Sequence, residues 1–297
     1  DGLIDTIYSP QDVKLNSVYG SLINANGDLL INILGTKVDL SAANGSVGTP
    51  ANSLNVGVNL GQVDPATQLV IPGTVTANAQ GTIDLRGAQG SKFNLSQARS
   101  TSGGTITISA AGESIIDGTV DTAGEIVFIS GGRQIFTDKA SITSGAGNVS
   151  ITADSLKMLN GSTLVAAGTV GIKTAGDALV TAISSASTAI DAVNIEATVG
   201  RVFAGTIAGR AYDISATAAG AGVKIVAGLG IGDKTQADDT ATDNTVTDVA
   251  NPLRIITNTL QALAANGSIN AAALSDVTLS ALMAAQGSID MTGTGTM

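Results

Sequence analysis

A glycine followed by two apolar residues, one position apart, returns along this chain at a nearly constant interval. The phrase stands as Gly81-Thr82-Ile83-Asp84-Leu85, Gly104-Thr105-Ile106-Thr107-Ile108 and Gly124-Glu125-Ile126-Val127-Phe128. It returns as Gly147-Asn148-Val149-Ser150-Ile151 and Gly168-Thr169-Val170-Gly171-Ile172. Asp191-Ala192-Val193-Asn194-Ile195 repeats it with Asp in the glycine slot. The first apolar residues fall at 83, 106, 126, 149, 170 and 193, so the steps are 23, 20, 23, 21 and 23. Near the end, Gly267-Ser268-Ile269 and Gly287-Ser288-Ile289 lie 20 apart. A period of this length belongs to stacked supersecondary units, none of which can bury its apolar face alone.

Each unit carries a strand. In Thr105-Ile106-Thr107-Ile108-Ser109 apolar and hydroxyl residues alternate, so Ile106 and Ile108 face in while Thr105, Thr107 and Ser109 face out. The same alternation holds for Val149/Ile151, Val170/Ile172, Val193/Ile195 and Val223/Ile225. Together with Ile126, the first three of these pairs are expected to stack with Ile106 and Ile108 as one interior wall. Shorter pairs such as Ile115-Ile116, Ile135-Phe136 and Leu164-Val165 supply the remaining strands of each turn. The chain is therefore expected to be all-β, a right-handed parallel β-helix (β-solenoid) with coils of about 20–23 residues. Coils pair about 4.8 Å apart, so about fourteen of them would make a rod roughly 65 Å long. Composition agrees with a narrow core: 43% of residues are apolar, but only 2% are aromatic and there is no Trp. Glycine takes 37 of 297 positions, above the usual share of about 7%.

The whole of 1–297 reads as a single solenoid segment, and as a piece of a longer fibre. Loops are expected to be extruded at about 60–74, which holds Pro65 and Pro72, and at about 230–249, which is rich in Asp, Thr and Gly. Proline cannot donate to a ladder. Asn-Gly pairs at 26–27, 44–45, 160–161 and 266–267 are expected at corners between strands. The Ala-rich stretch 260–285 has helical propensity. Its Asn266-Gly267-Ser268 turn and its Asp276-Val277-Thr278-Leu279 strand pattern point to strands instead.

The chain has no Cys and no His, so disulfides, thiolate metal sites and imidazole general bases are excluded. Fourteen Lys and Arg stand against 24 Asp and Glu, a net charge of -10 that disfavours nucleic acid. No apolar run reaches the length of a membrane span. Asp84, Asp117, Asp121 and Asp138 fall at turn or outward positions in different coils, and glycoside cleavage needs two carboxylates at a set separation. No enzymatic activity, catalytic residue or cofactor is therefore expected. Asp238, Asp239 and Asp243, in the acidic stretch 233–248, offer oxygens for Ca²⁺ but lack EF-hand spacing, and a solvated loop accounts for them better. Gly220-Ala221-Gly222 to Gly228-Leu229-Gly230 superficially matches a dinucleotide loop without a strand–loop–helix unit around it. Outward Thr and Ser rows lack the strict regularity of an ice-binding face.

Longer phrases also recur. Asn44-Gly45-Ser46-Val47-Gly48 leads into Ala51-Asn52-Ser53-Leu54-Asn55-Val56, and Ala250-Asn251-Pro252-Leu253-Arg254-Ile255 echoes the second half. Asp12-Val13-Lys14-Leu15 before Gly20-Ser21-Leu22 is matched by Asp276-Val277-Thr278-Leu279 before Gly287-Ser288-Ile289. In these phrases nearly the whole chain resembles the filamentous haemagglutinin-like giant exoproteins and adhesins of Gram-negative bacteria. The resemblance implies a fibre segment of a secreted or cell-surface adhesin or matrix protein, extracellular in location and acting in adhesion or aggregation. Its partners would be axial neighbours, from the same giant chain or further copies, and a host, bacterial or glycan surface receptor. The alternatives are a self-assembling extracellular filament subunit and a carbohydrate-binding or carbohydrate-cleaving β-helix.

Overall fold

The computed structural model describes residues 1–27, 30–58, 62–63, 70–71, 73–88, 93–205, 211–232 and 252–297, with backbone only at 62–63 and 70–71. Among the described residues there is no helix, and the strands stack in parallel as β-solenoid coils. The chain falls into two compact units. One comprises 1–154 with 161–168, the other 155–160 with 169–297.

In the first unit the inward positions of the recurring phrase stack in register. Ile83 pairs with Ile106, Ile106 with Ile126 and Ile126 with Val149. One residue pair along, Leu85, Ile108, Phe128 and Ile151 form the adjoining row. The facing wall runs through Leu40, Ala77, Ala98, Val120, Ile142 and Leu164. All are buried. Phe128 and Phe136 meet edge to face inside the core, with centroids 5.2 Å apart. In the second unit Val170, Val193, Val223 and Leu260 form one row, and Ile172, Ile195, Ile225 and Ala262 the next. The expected interior wall is thus present within each unit. The Ala-rich stretch is built from strands Thr259–Ala264, Ile269–Ala273 and Thr278–Ala284.

The recurring glycine has a steric cause. Each sits at the corner before its strand, against the backbone of the matching glycine one coil earlier. A Cβ on Gly104 would lie 2.5 Å from the Gly81 carbonyl oxygen, and one on Gly147 would lie 2.5 Å from that of Gly124. Real Cβ contacts are never so short. Asp191, in the glycine slot, escapes this because it lies in an exposed turn.

Among the described residues the number of turns is about 11, fewer than the fourteen expected from a uniform period. Several coils are long. The ladder advances 23 residues from Leu85 to Ile108, but 31 from Leu54 to Leu85, 30 from Val193 to Val223 and 37 from Val223 to Leu260. The first long step includes an antiparallel pair between Gln62–Val63 and Val70–Ile71, an excursion off the parallel ladder. The step from Val193 to Val223 gives no warning in the sequence, because no proline or acidic run marks it.

Two substitutions test this packing by urea denaturation. Ile151→Asp places an unpaired charge in the wall and is expected to cost on the order of 4 kcal/mol. Gly147→Ala is expected to cost about 2 kcal/mol by overpacking the corner. Gly171→Ala, at a strand position with nothing within 4 Å of the new methyl, should be neutral or slightly stabilising. Equal effects at Gly147 and Gly171 would refute the corner account.

Candidate functional site

Contrary to the expectation that the isolated acids lie in different coils, Asp117 and Asp121 share the strand Ser114–Thr122, because that strand is long enough to run through both positions. Asp117 accepts a hydrogen bond from Thr137 Oγ1 at 2.7 Å, and Lys139 Nζ stands 3.6 Å from its other oxygen. Asp121 faces Arg99 Nε at 3.3 Å, and its ladder neighbours are Arg99 and Thr143. Asp138 lies in an exposed turn. Asp84 departs from expectation: it is only 4% exposed, inside the strand Ile83–Gly87 and opposite Thr107. Alternation places its side chain away from Ile83 and Leu85, but the outer side of the coil is itself covered there, as at Asn55 and Asn94. A two-strand pattern cannot reveal such a covering.

Among the described residues no group of three or more Asp or Glu is gathered closely enough to hold a metal ion. Asp238, Asp239 and Asp243 lie outside the described residues. The glycines from 220 to 230 flank the strand Gly222–Ala227, held between Val193–Ala197 and Thr259–Ala264, with no helix N-terminus to receive a phosphate.

The ladder does gather one surface that sequence reasoning missed. Strands Val13–Ser17, Lys37–Ala42, Thr74–Ala79 and Phe93–Ser100 lie side by side in the first unit. Lys14, Asp39, Thr76 and Gln97 form one outward row, and Asn16, Ser41, Asn78 and Arg99 form the next. A groove runs along them over the first three strands, with Leu15 and Leu40 between the rows. Gln97 Nε2 donates to Asn78 Oδ1 at 2.8 Å, and the Thr76 and Ser96 hydroxyls lie 3.0 Å apart. Lys37 Nζ is 3.2 Å from Asp39. The four strands span 88 positions of chain from Val13 to Ser100, so only the register brings these residues together.

Buried polar groups hold the corners. Thr122 Oγ1 and Ser144 Oγ donate to the carbonyls of Gly104 and Gly124, each at 2.7 Å. Asn32, fully buried, donates from Nδ2 to Ile4 O and Asn24 Oδ1 at 2.9 Å, and its Oδ1 accepts from Asn55 N–H at 2.9 Å. In the second unit Asp213, also fully buried, accepts from the Arg254 N–H at 2.9 Å, with Arg254 Nε at 3.5 Å. A buried charge needs such pairing.

Asn32→Ala is expected to destabilise the chain by about 3 kcal/mol, since it strands at least two buried partners. Thermal and urea melts of the variant check this, and an unchanged midpoint would refute the assigned network.

No family model, no curated protein and no solved structure matches this chain.

Proposed function

We propose that this chain is a structural fibre segment of a secreted or cell-surface bacterial adhesin or matrix protein, acting in adhesion or aggregation. The observation that carries the reading is coil-on-coil stacking in each unit, with inward positions given over to packing. Such an architecture supports length and surface rather than turnover. The phrases shared with filamentous haemagglutinin-like exoproteins support the same conclusion, and the acidic balance argues against a nucleic-acid partner. No helix among the described residues is long and apolar enough to cross a membrane.

The partners proposed first are axial neighbours. Ile269 is fully buried, yet its ladder partner Ile289 is 45% exposed. Leu279 and Met291 are likewise only partly covered. The parallel ladders and apolar rows that join coil to coil inside each unit suit stacking against a further coil, whether from a longer polypeptide or from another copy. Stacking of separate copies would make the chain a filament subunit.

Light scattering over a range of concentrations, with negative-stain images of the same samples, tests this. Elongated particles that lengthen with concentration are expected from the purified chain, and Ile289→Asp should reduce that growth. Stable compact monomers whose last coil is protected from hydrogen exchange would overturn the proposal.

A further inference from the structure

We propose that the outer face of strands Val13–Ser17, Lys37–Ala42, Thr74–Ala79 and Phe93–Ser100 binds a neutral polysaccharide along the groove between its two polar rows. The proposal rests on the fibre reading and names the ligand class that this surface would hold.

The strands of this face hydrogen-bond to one another through their backbones, so recognition falls to side chains. Those lining the groove include Asn16, Ser41, Thr76 and Asn78. Amides and hydroxyls each both donate and accept, and they recur here at the ladder spacing of about 4.8 Å. Sugar hydroxyls have the same dual character, and an amide can meet two neighbouring ones at once, giving with its nitrogen and taking with its oxygen. The face is also organised in advance. The bond from Gln97 sets the Asn78 amide with its nitrogen directed away from Gln97, and Thr76 is held against Ser96. Less ordering is then needed on binding.

Charge selects against ionic ligands. Lys14 lies opposite Asp39 in the ladder, Asp39 takes Lys37, and Arg99 faces Asp121. Every cation of the face therefore has a carboxylate beside it or opposite it, and a chain of net charge -10 repels polyanions at longer range. Tyr19, three residues beyond Asn16, is 92% exposed and offers an aromatic face to the C–H side of a sugar ring. Hydrolysis is not implied, because the ladder neighbours of Asp39 are Lys14 and Thr76 and no second carboxylate stands opposite it.

The test is affinity electrophoresis of the whole chain in native gels containing dextran, galactomannan or a soluble β-1,3-glucan, with heparin as the polyanion arm. Retardation is expected in at least one neutral gel and not in heparin. The double variant Asn16→Ala/Asn78→Ala should bind at least tenfold more weakly, as the loss of two hydrogen-bonding amides requires. Gly171→Ala, in the other unit, should bind as the parent does. Matched circular dichroism establishes folding. Should the double variant unfold, Tyr19→Ala carries the same test from outside the ladder, with weaker retardation expected and an undiminished one against the proposal. Absence of retardation in every neutral gel, retention by heparin alone, or undiminished binding by the folded double variant would overturn the proposal. A chain that assembles into fibres but is not retarded defeats the ligand alone. One that is retarded but does not assemble defeats the fibre reading alone.

Discussion

Successive coils stand one hydrogen-bonded strand apart, about 4.8 Å, and at the corner before each long strand that spacing leaves no room for a side chain. Gly81, Gly104, Gly124 and Gly147 lie backbone on backbone there. The hydroxyls of Thr122 and Ser144 tie the same corners by donating to the carbonyls of Gly104 and Gly124. A corner built this way sets where each strand begins. Once the start is set, inward residues meet their counterparts in the next coil, as Ile106 and Ile108 meet Ile126 and Phe128, and a bulge resets the register at Val75/Thr76, Leu95/Gln97 and Leu260/Gln261.

The narrow interior follows from that register. Two walls of Ile, Val, Leu and Ala face each other across the coil, and a wide ring fits only where neighbours make space, as at Phe128 and Phe136. Extra length is tolerated as long as it leaves the corner and strand intact. The 31-residue step from Leu54 to Leu85 and the 30-residue step from Val193 to Val223 both return to register. The entropic cost of a longer excursion grows only slowly with its length. This explains why the period looks irregular in the sequence while the pairing is regular.

Outward positions escape these restraints. The inner rows are committed to packing, whereas the outer rows change chemistry from coil to coil, from Lys14 through Asp39 and Thr76 to Gln97. Binding properties in such a chain can vary along its surface without disturbing the stack. The polar face proposed for saccharide belongs to the first unit, and the half-exposed Ile289 to the second.

The chain's own periodicity was enough to determine the all-β class, the parallel stacking and the interior identity of residues such as Ile106, Ile151 and Ile195. These depend on alternation over a few residues and on a repeat of constant length, both of which are local. The number of turns was not legible, because the added length between Val193 and Val223 has the same composition as ordinary coils. Nor was the candidate face. Lys14, Asp39, Thr76 and Gln97 are individually unremarkable, and their adjacency exists only after three coils of different length close into register. Burial of Asp84 depends on what covers a coil from outside, and that of Asn32 on Ile4, Asn24 and Asn55 in the coils beside it. Local pattern tells which side of a strand a residue takes; only the assembled stack decides what that side meets.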